Sequence, residues 1–301
     1  MSAAAAKNVE ATTLRAGIVG AGVFGGYHAQ KYDALGGVAL TSIFDTDIGR
    51  AKALADRFGA TFYTDYSLFL KSVDLVSITS PATTHFDMAR AAISGGKHCL
   101  VEKPIALEAT HATALIEQAT QADVCLQVGH QERFVANAAK LFKDAENVDD
   151  VAWRRCGVGT GRCEDVSVVF DLMIHDLDLA RQFDFGEPLS IHAAGDENEV
   201  SAVLNFVNGR RFEFFASRRA SIQDRSMAVK CGDQSMRYDF AVKNRKIADP
   251  LMTSVESFVA SVRNNEPTAI SGEDGLRALE WACAIEEAWR ASAAIMEEAV
   301  A

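Results

Sequence analysis

Lys103, Asp171 and His175 are the residues of this 301-residue chain best equipped to move a proton. Lys103 stands in Glu102-Lys103-Pro104, directly after the apolar run His98–Val101. An ammonium group there can hold a substrate oxygen and lower the pKa of a reacting hydroxyl. Asp171 and His175 are four apart in Asp171-Leu172-Met173-Ile174-His175-Asp176, so a helix would set them on one face. Histidine is the usual general base at neutral pH, and a nearby carboxylate can orient it or hold a substrate. A second group is suited to binding. Ala16–Val19 leads into Gly20-Ala21-Gly22-Val23-Phe24-Gly25, an apolar strand followed by G-x-G-x-x-G, the phosphate turn of a dinucleotide site. Gly20 permits the turn, Gly22 lets the backbone approach a pyrophosphate, and Gly25 seats the next helix close to the sheet. Val23 and Phe24 open that helix, whose N–H groups and dipole would face the phosphates.

Asp45 answers the turn from 25 positions beyond Gly20 (45 − 20), at the end of the apolar run Val38–Phe44. A carboxylate there accepts hydrogen bonds from the adenosine ribose and repels a 2′-phosphate. Asp47 adds to the repulsion and no arginine is nearer than Arg50, so NAD is expected rather than NADP. Ser80, Thr83 and His85, in Ser-Pro-Ala-Thr-Thr-His after another strand, are further expected cofactor contacts, with Thr83 or His85 near the ribose or nicotinamide. Glu102 and Lys103 join them. Gly129-His130-Gln131-Glu132-Arg133-Phe134 falls where the chain changes texture, so Arg133 or Glu132 could touch a substrate. Blander roles also fit each residue alone: a surface lysine before a turn proline, an N-cap at Asp171, a packing histidine, a plain hinge. The sequence leaves the isomer of Lys103-Pro104 open.

These residues need a frame. Up to about residue 130, strand-like runs (75–79, 98–101, 124–128) alternate with helical stretches (47–58, 86–94, 108–119), as in a doubly wound parallel sheet. Residues 1–130 are therefore expected to form an NAD-binding Rossmann domain and 131–301 a substrate-binding and oligomerisation domain. The second part starts with a helix over 132–145 and continues with another near 171–182. From Leu189 to about Ala248 it becomes strand-rich, with Val200, Ala202, Leu204 and Phe206 on one face and a hairpin turn at Asn208-Gly209. Ser271-Gly272-Glu273-Asp274 can cap a long final helix.

Lys and Arg number 30 against 41 Asp and Glu, a net charge of −11 that argues against nucleic acid or an anionic membrane as partner. No apolar run approaches the roughly 18 residues of a membrane span. The first residues, Met1 to Asn8, lack a secretion signal and read as a frayed tail, so a cytoplasmic protein is expected. The cysteines at 99, 125, 156, 163, 231 and 283 are scattered, which disfavours a disulfide framework. Cys156, Cys163 and His175 could at most form a zinc site, and no metal is expected. Arg154-Arg155, Arg162, Arg210-Arg211 and Arg218-Arg219 concentrate in the second part and suit bidentate contact with a diphosphate, although solvated charges on a sheet would look the same.

Taken together and in order, G-x-G-x-x-G, Ser-Pro-Ala-Thr-Thr-His, Glu-Lys-Pro, Gly-His-Gln-Glu-Arg-Phe, Asp-Leu-Met-Ile-His-Asp and Ser-Gly-Glu-Asp-Gly-Leu-Arg-Ala-Leu-Glu resemble the glucose–fructose oxidoreductase / inositol dehydrogenase (Gfo/Idh/MocA) family. The resemblance implies an α/β protein: an N-terminal Rossmann domain, then an α/β domain with an open, mostly antiparallel sheet used to form dimers or tetramers. It also implies that Lys103 and His175 flank the substrate, with Asp171 as the third polar contact. Within the family the chain is most similar to the branch of UDP-N-acetylglucosamine 3-dehydrogenases, which oxidise a sugar hydroxyl with NAD. It departs from that branch at Val135-Ala136, where Asn-Pro is common, and its C-terminal sheet region is short. The alternatives are a free-sugar or inositol dehydrogenase, an NAD-assisted glycosidase, and a non-catalytic NAD-binding regulator.

Overall fold

The structure, a computed structural model, describes residues 13–142, 148–158, 165–240 and 249–300. Strands β1 (Leu14–Val19), β2 (Val38–Phe44), β3 (Thr61–Tyr63), β4 (Leu75–Ile78), β5 (His98–Val101) and β6 (Leu126–Val128) form one parallel sheet in the order β3-β2-β1-β4-β5-β6. This is the strand order of a Rossmann sheet. Helices α1 (Val23–Ala34), α2 (Ile48–Phe58), α3 (Tyr66–Lys71), α4 (His85–Ser94) and α5 (Ala109–Gln121) make the crossovers. Burial on both faces explains why Ala16–Val19 of β1 and most of β4 read as apolar runs. Asp47 caps α2 by accepting from Arg50 N, and Gly59 closes it in the left-handed region at φ +65°.

Past β6 the expected helix over 132–145 is shorter. Helix α6 (Glu132–Ala138) gives way to a turn, and 143–147 lie outside the described residues. Strand β7 (Asp150–Val158) follows. The helix expected near 171–182 starts earlier and is irregular: a wide π turn over Val169–Met173, helix α7 (Ile174–Ala180), then one 3-10 turn over Arg181–Phe183. Strands β8 (Ser190–Asp196), β9 (Glu199–Asn205), β10 (Arg211–Ser217), β11 (Arg219–Cys231) and β12 (Gln234–Asp239) complete a second sheet, ordered β12-β11-β7-β10-β9-β8. Only the β7–β10 pair is parallel among these neighbours. The α/β architecture with an open, mostly antiparallel second sheet is thus as expected.

Val200, Ala202, Leu204 and Phe206 all face inward, each at most 3% exposed. They meet a cluster of rings in which Trp153 stacks on Phe214 with centroids 4.8 Å apart, surrounded by Phe183, Phe212 and Trp281. Helix α8 (Pro250–Asn264) leaves this sheet and packs back on the first one. Its Leu251, Val255, Phe258 and Val259 share a core with Ile18, Tyr32, Ile43 and Leu100. Helix α9 (Gly272–Val300) begins in a reciprocal cap, with Asp274 N donating to Ser271 Oγ and Ser271 N to Asp274 Oδ2. It then runs along β8 and α5. No described helix is long and apolar enough to cross a membrane.

Candidate active site

At the glycine turn the reasons for each glycine are steric. Gly20 lies at φ +96°, and a Cβ there would stand 2.7 Å from Ser80 N. A Cβ on Gly25 would meet Gly20 O at 2.0 Å, while above Gly22 nothing stands within 4 Å. Helix α1 starts directly beyond, with no side-chain cap and no acid in its first turn, so its leading N–H groups are left for a ligand. Val23 and Phe24 are half exposed beside this concavity. An uncapped helix N-terminus over a Cβ-free hollow fits the diphosphate of a dinucleotide.

Asp45 closes the turn from below, accepting from Ala21 N and Asp47 N at 2.8 Å each. The sequence put no arginine next to it, but the fold does. Arg50, at the start of α2, donates to Asp45 Oδ1 from Nη2 at 2.9 Å. Burial pushes the Asp45 carboxyl up, and Arg50 with the Asp47 and Ala21 N–H groups outweighs it, holding the acid below its usual range. Ser80 Oγ pairs with Thr84 Oγ1 at 2.7 Å, and Thr83 is exposed on the short turn Ala82–Thr84. His85, expected near the cofactor, is instead 2% exposed. Its ring bridges Pro104 O at 2.6 Å and Ser80 O at 3.0 Å, linking the loops after β4 and β5.

The loop after β5 carries Glu102 and Lys103, and the Lys103-Pro104 peptide is cis. Glu102 is buried and accepts from Gln131 Nε2 at 3.2 Å and contacts His28 Nε2 at 3.0 Å. His28 reaches Ser77 Oγ at 3.0 Å, and Tyr32 meets the same hydroxyl at 2.9 Å. A Cβ on Gly129 would press on the Glu102 carboxylate at 2.7 Å, which is why glycine ends β6. Lys103 leaves this network for the other half of the protein. Its Nζ donates to Asp171 O at 2.6 Å and to Asp171 Oδ1 at 3.2 Å. Arg218 holds the second oxygen, with Nη2 3.2 Å from Asp171 Oδ2.

The π turn thus brings Asp171 to Lys103, and His175 follows at the start of α7. Burial, then Lys103, Arg155, His130 and Arg225, keep the His175 imidazole well below its usual pKa, so it is neutral at pH 7. Its Nδ1 is enclosed with no hydrogen-bond partner among the described residues. Chemically, this is a lysine able to donate to an oxygen and an uncharged imidazole able to take a proton.

Arg133 does not join them as a free substrate contact. Arg133 is 6% exposed, and its guanidinium is committed to Asp178 and, at 2.9 Å, to Asp274. Glu132 likewise pairs with Arg155 at 3.1 Å, which also grips Asp176. Of the arginine pairs, Arg155 and Arg218 are held inside by acids, whereas Arg154, Arg211 and Arg219 are exposed on the second sheet: Arg154 lies over Phe215, Arg210 over Phe185, Arg211 meets Glu213 and Arg219 meets Asp196. Arg162 and Cys163 lie outside the described residues. Among the described residues no group of three or more His, Cys, Asp or Glu could hold a metal ion, and their cysteines are free. His28 and Ser77 escaped the sequence reading, and Arg218, read there as suited to a diphosphate, instead holds Asp171, since no local motif marks a partner dozens of residues away.

The 3-2-1-4-5-6 sheet and its glycine turn define a dinucleotide-binding protein with a Rossmann fold. The family model described as an oxidoreductase family with an NAD-binding Rossmann fold matches residues 14–130. A UDP-N-acetylglucosamine 3-dehydrogenase from Acidithiobacillus ferrooxidans is 29% identical over 304 residues, covering 88% of this chain and 94% of that one. A solved structure of that protein superimposes with a TM-score of 0.82 at 30% identity, over 92% of this chain and 98% of the other. A myo-inositol 2-dehydrogenase from Thermotoga maritima is 28% identical over 88% of this chain and 93% of its own. A scyllo-inositol dehydrogenase from Lactobacillus casei, solved with NAD(H) and scyllo-inositol, shares the fold with a TM-score of 0.82 at 19% identity, over 93% of this chain and 98% of that one. The chain belongs to the Gfo/Idh/MocA family of NAD-dependent oxidoreductases.

Proposed function

We propose that the protein oxidises a secondary hydroxyl of a sugar, and that the sugar is a UDP-amino-sugar of the UDP-N-acetylglucosamine type. The observation carrying the chemistry is the meeting of Lys103 with Asp171 beside the neutral His175. Gly20, Gly22, Val23, Phe24 and Gly25 would hold the diphosphate, Asp45 the ribose, and Ser80, Thr83 and Glu102 would border the nicotinamide side. Bound NAD supplies the hydride acceptor. Lys103 donates to the reacting oxygen and stabilises the developing alkoxide, while Asp171 and Arg218 fix the ammonium's position. With Nδ1 enclosed, His175 Nε2 takes the hydroxyl proton. On this reading residues 1–130 hold the cofactor and 131–301 the substrate, in a cytoplasmic homodimer or homotetramer. The open face of the second sheet would form the subunit contact.

Likeness to the Acidithiobacillus ferrooxidans enzyme supports the nucleotide sugar. Likeness to the Thermotoga maritima enzyme supports the second reading, oxidation of a free inositol. Purified protein with NAD, tested against UDP-N-acetylglucosamine, free sugars and inositols, separates them by NADH absorbance. An aminotransferase and glutamate draw off the keto sugar. A signal from the nucleotide sugar alone is expected; a signal from inositol alone replaces this proposal with the second.

A further inference from the structure

Arg155 of β7 and Arg225 of β11 stand directly opposite each other in the antiparallel register of the second sheet. Opposed residues share a sheet face with their Cβ atoms about 5 Å apart, so like charges there are destabilising. The shared face is the inward one. Trp153 and Met227, the next pair on it, are buried, and Arg155 reaches Asp176 at 2.7 Å and Glu132 at 3.1 Å. Those two acids offset Arg155. Among the described residues no carboxylate lies within ion-pair distance of Arg225, although that side chain is only partly exposed. Its partner is a neutral amide: Gln223, with its oxygen turned to the guanidinium, accepts from Nε and Nη2 at 3.0 Å each. Burial and then Arg155 hold the Arg225 guanidinium below the ordinary arginine value, and Glu132 and Asp176 make up only part of that.

A guanidinium carries five N–H donors in a flat fork. Gln223 takes two of them without neutralising the charge. Three are left, including the side-by-side pair on Nη1 and Nη2 that fits two oxygens of a phosphate. The fork shares its sheet face with the reaction site. Arg155 beside it grips Asp176, the residue after His175, and Arg218, just past β10, holds Asp171. Strands β10, β7 and β11 are neighbours, so Arg225 stands two strands, about 10 Å, from the strand that leads to Arg218. Strand β11 also bulges here. Its five steps from Arg219 to Asp224 (224 − 219) run beside two of β7, from Val158 to Cys156 (158 − 156), which frees Gln223 from the ladder. We propose that Arg225 anchors the diphosphate of the nucleotide sugar, Nη1 and Nη2 donating to two of its oxygens while the sugar ring extends towards Lys103 and His175. Arg225 thereby separates a nucleotide sugar from a free one. This rests on the dehydrogenase reading above.

The test uses full-length protein saturated with NAD, which keeps the glycine turn occupied. It reads UDP binding by calorimetry beside kinetics with UDP-N-acetylglucosamine. Arg225→Gln should raise the Kd for UDP and the KM for the nucleotide sugar by about 10- to 100-fold, the loss of a charge-assisted hydrogen-bonding pair, while kcat changes far less. Arg225→Lys keeps the charge without the fork and should recover only part of the affinity. Gln223→Glu is a change at an exposed residue that leaves the arginine in place. It should weaken UDP binding too, by pairing the guanidinium with an acid, and it decides the matter if Arg225→Gln does not fold. Unaltered UDP binding in both Arg225→Gln and Gln223→Glu overturns the proposal. So does a wild type that binds no UDP, or a fall in kcat with KM and UDP affinity unmoved, which marks a role through the reaction site. If UDP binds through Arg225 but no UDP-sugar is oxidised, the dehydrogenase reading fails and the anion site stands.

Discussion

At Lys103 and His175 the expected losses differ in kind from those at the glycine turn. Alanine at either position should lower kcat by about 10²- to 10⁴-fold, while titration calorimetry finds NAD binding intact. Full turnover in both variants would remove these roles. Because His175 is held well below its ordinary value, it stays unprotonated as the pH falls past 6.5. The acid limb of kcat/KM should therefore lie below pH 6.5, and a limb at or above 6.5 would contradict the assignment. Arg50 offsets part of the Asp45 charge. Arg50→Ala should thus widen the preference for NAD over NADP and Asp45→Ala narrow it, read as the ratio of kcat/KM for the two cofactors. The features legible in the sequence were those written within a few positions, such as the positive-φ turn at Gly20 and the close seat of α1 at Gly25. Arg133 misled because its partner Asp178 lies 45 positions on, where no spacing rule connects them.

Among the elements, the buried parallel strands announced themselves as apolar runs. Strand β3 did not, because it lies at the sheet edge with Thr61 and Phe62 exposed. The wide turn at Val169–Met173 was equally hidden, since its apolar pattern reads like ordinary helix. Helix α6 read too long because its composition stays helix-compatible beyond Ala138, while Lys140 takes a positive φ of 56° there. Helix α8 offers a direct test of packing. Phe258 is fully buried against the first sheet, so Phe258→Ala should cost about 3–5 kcal/mol in urea unfolding. A loss under 1 kcal/mol would mean that α8 is not part of that core. At the end of β6, Gly129→Ala should disturb the Glu102 carboxylate and lower activity more than stability.

For the molecule as a whole, three histidines with lowered pKa, two of them enclosed, set a pH limit. Burial depresses His85, His130 and His175 in the folded state, whereas in the unfolded chain they titrate near 6.5. Below about pH 6.5 the unfolded chain binds protons that the folded one refuses, so stability should fall as the pH drops from 7 to 5. Thermal unfolding across that range checks it, and a flat Tm would show that the three rings are not held below their ordinary pKa in solution. The two-sheet plan was legible from alternation and then strand density. The return of α8 to the first sheet was not, because an amphipathic helix does not say which layer it will cover. That return has a further consequence. The polypeptide passes between the layers near residue 130 and again between β12 and α8. It does so once more along α9, which starts against β6 and runs on beside β8, so the halves are sewn rather than hinged by one thread. A gene fragment ending at residue 130 would leave the greasy seat of Leu251 and Phe258 bare and prone to clump. Chimaeras that exchange cofactor halves among relatives should therefore carry 250–264 along with the first 130 residues.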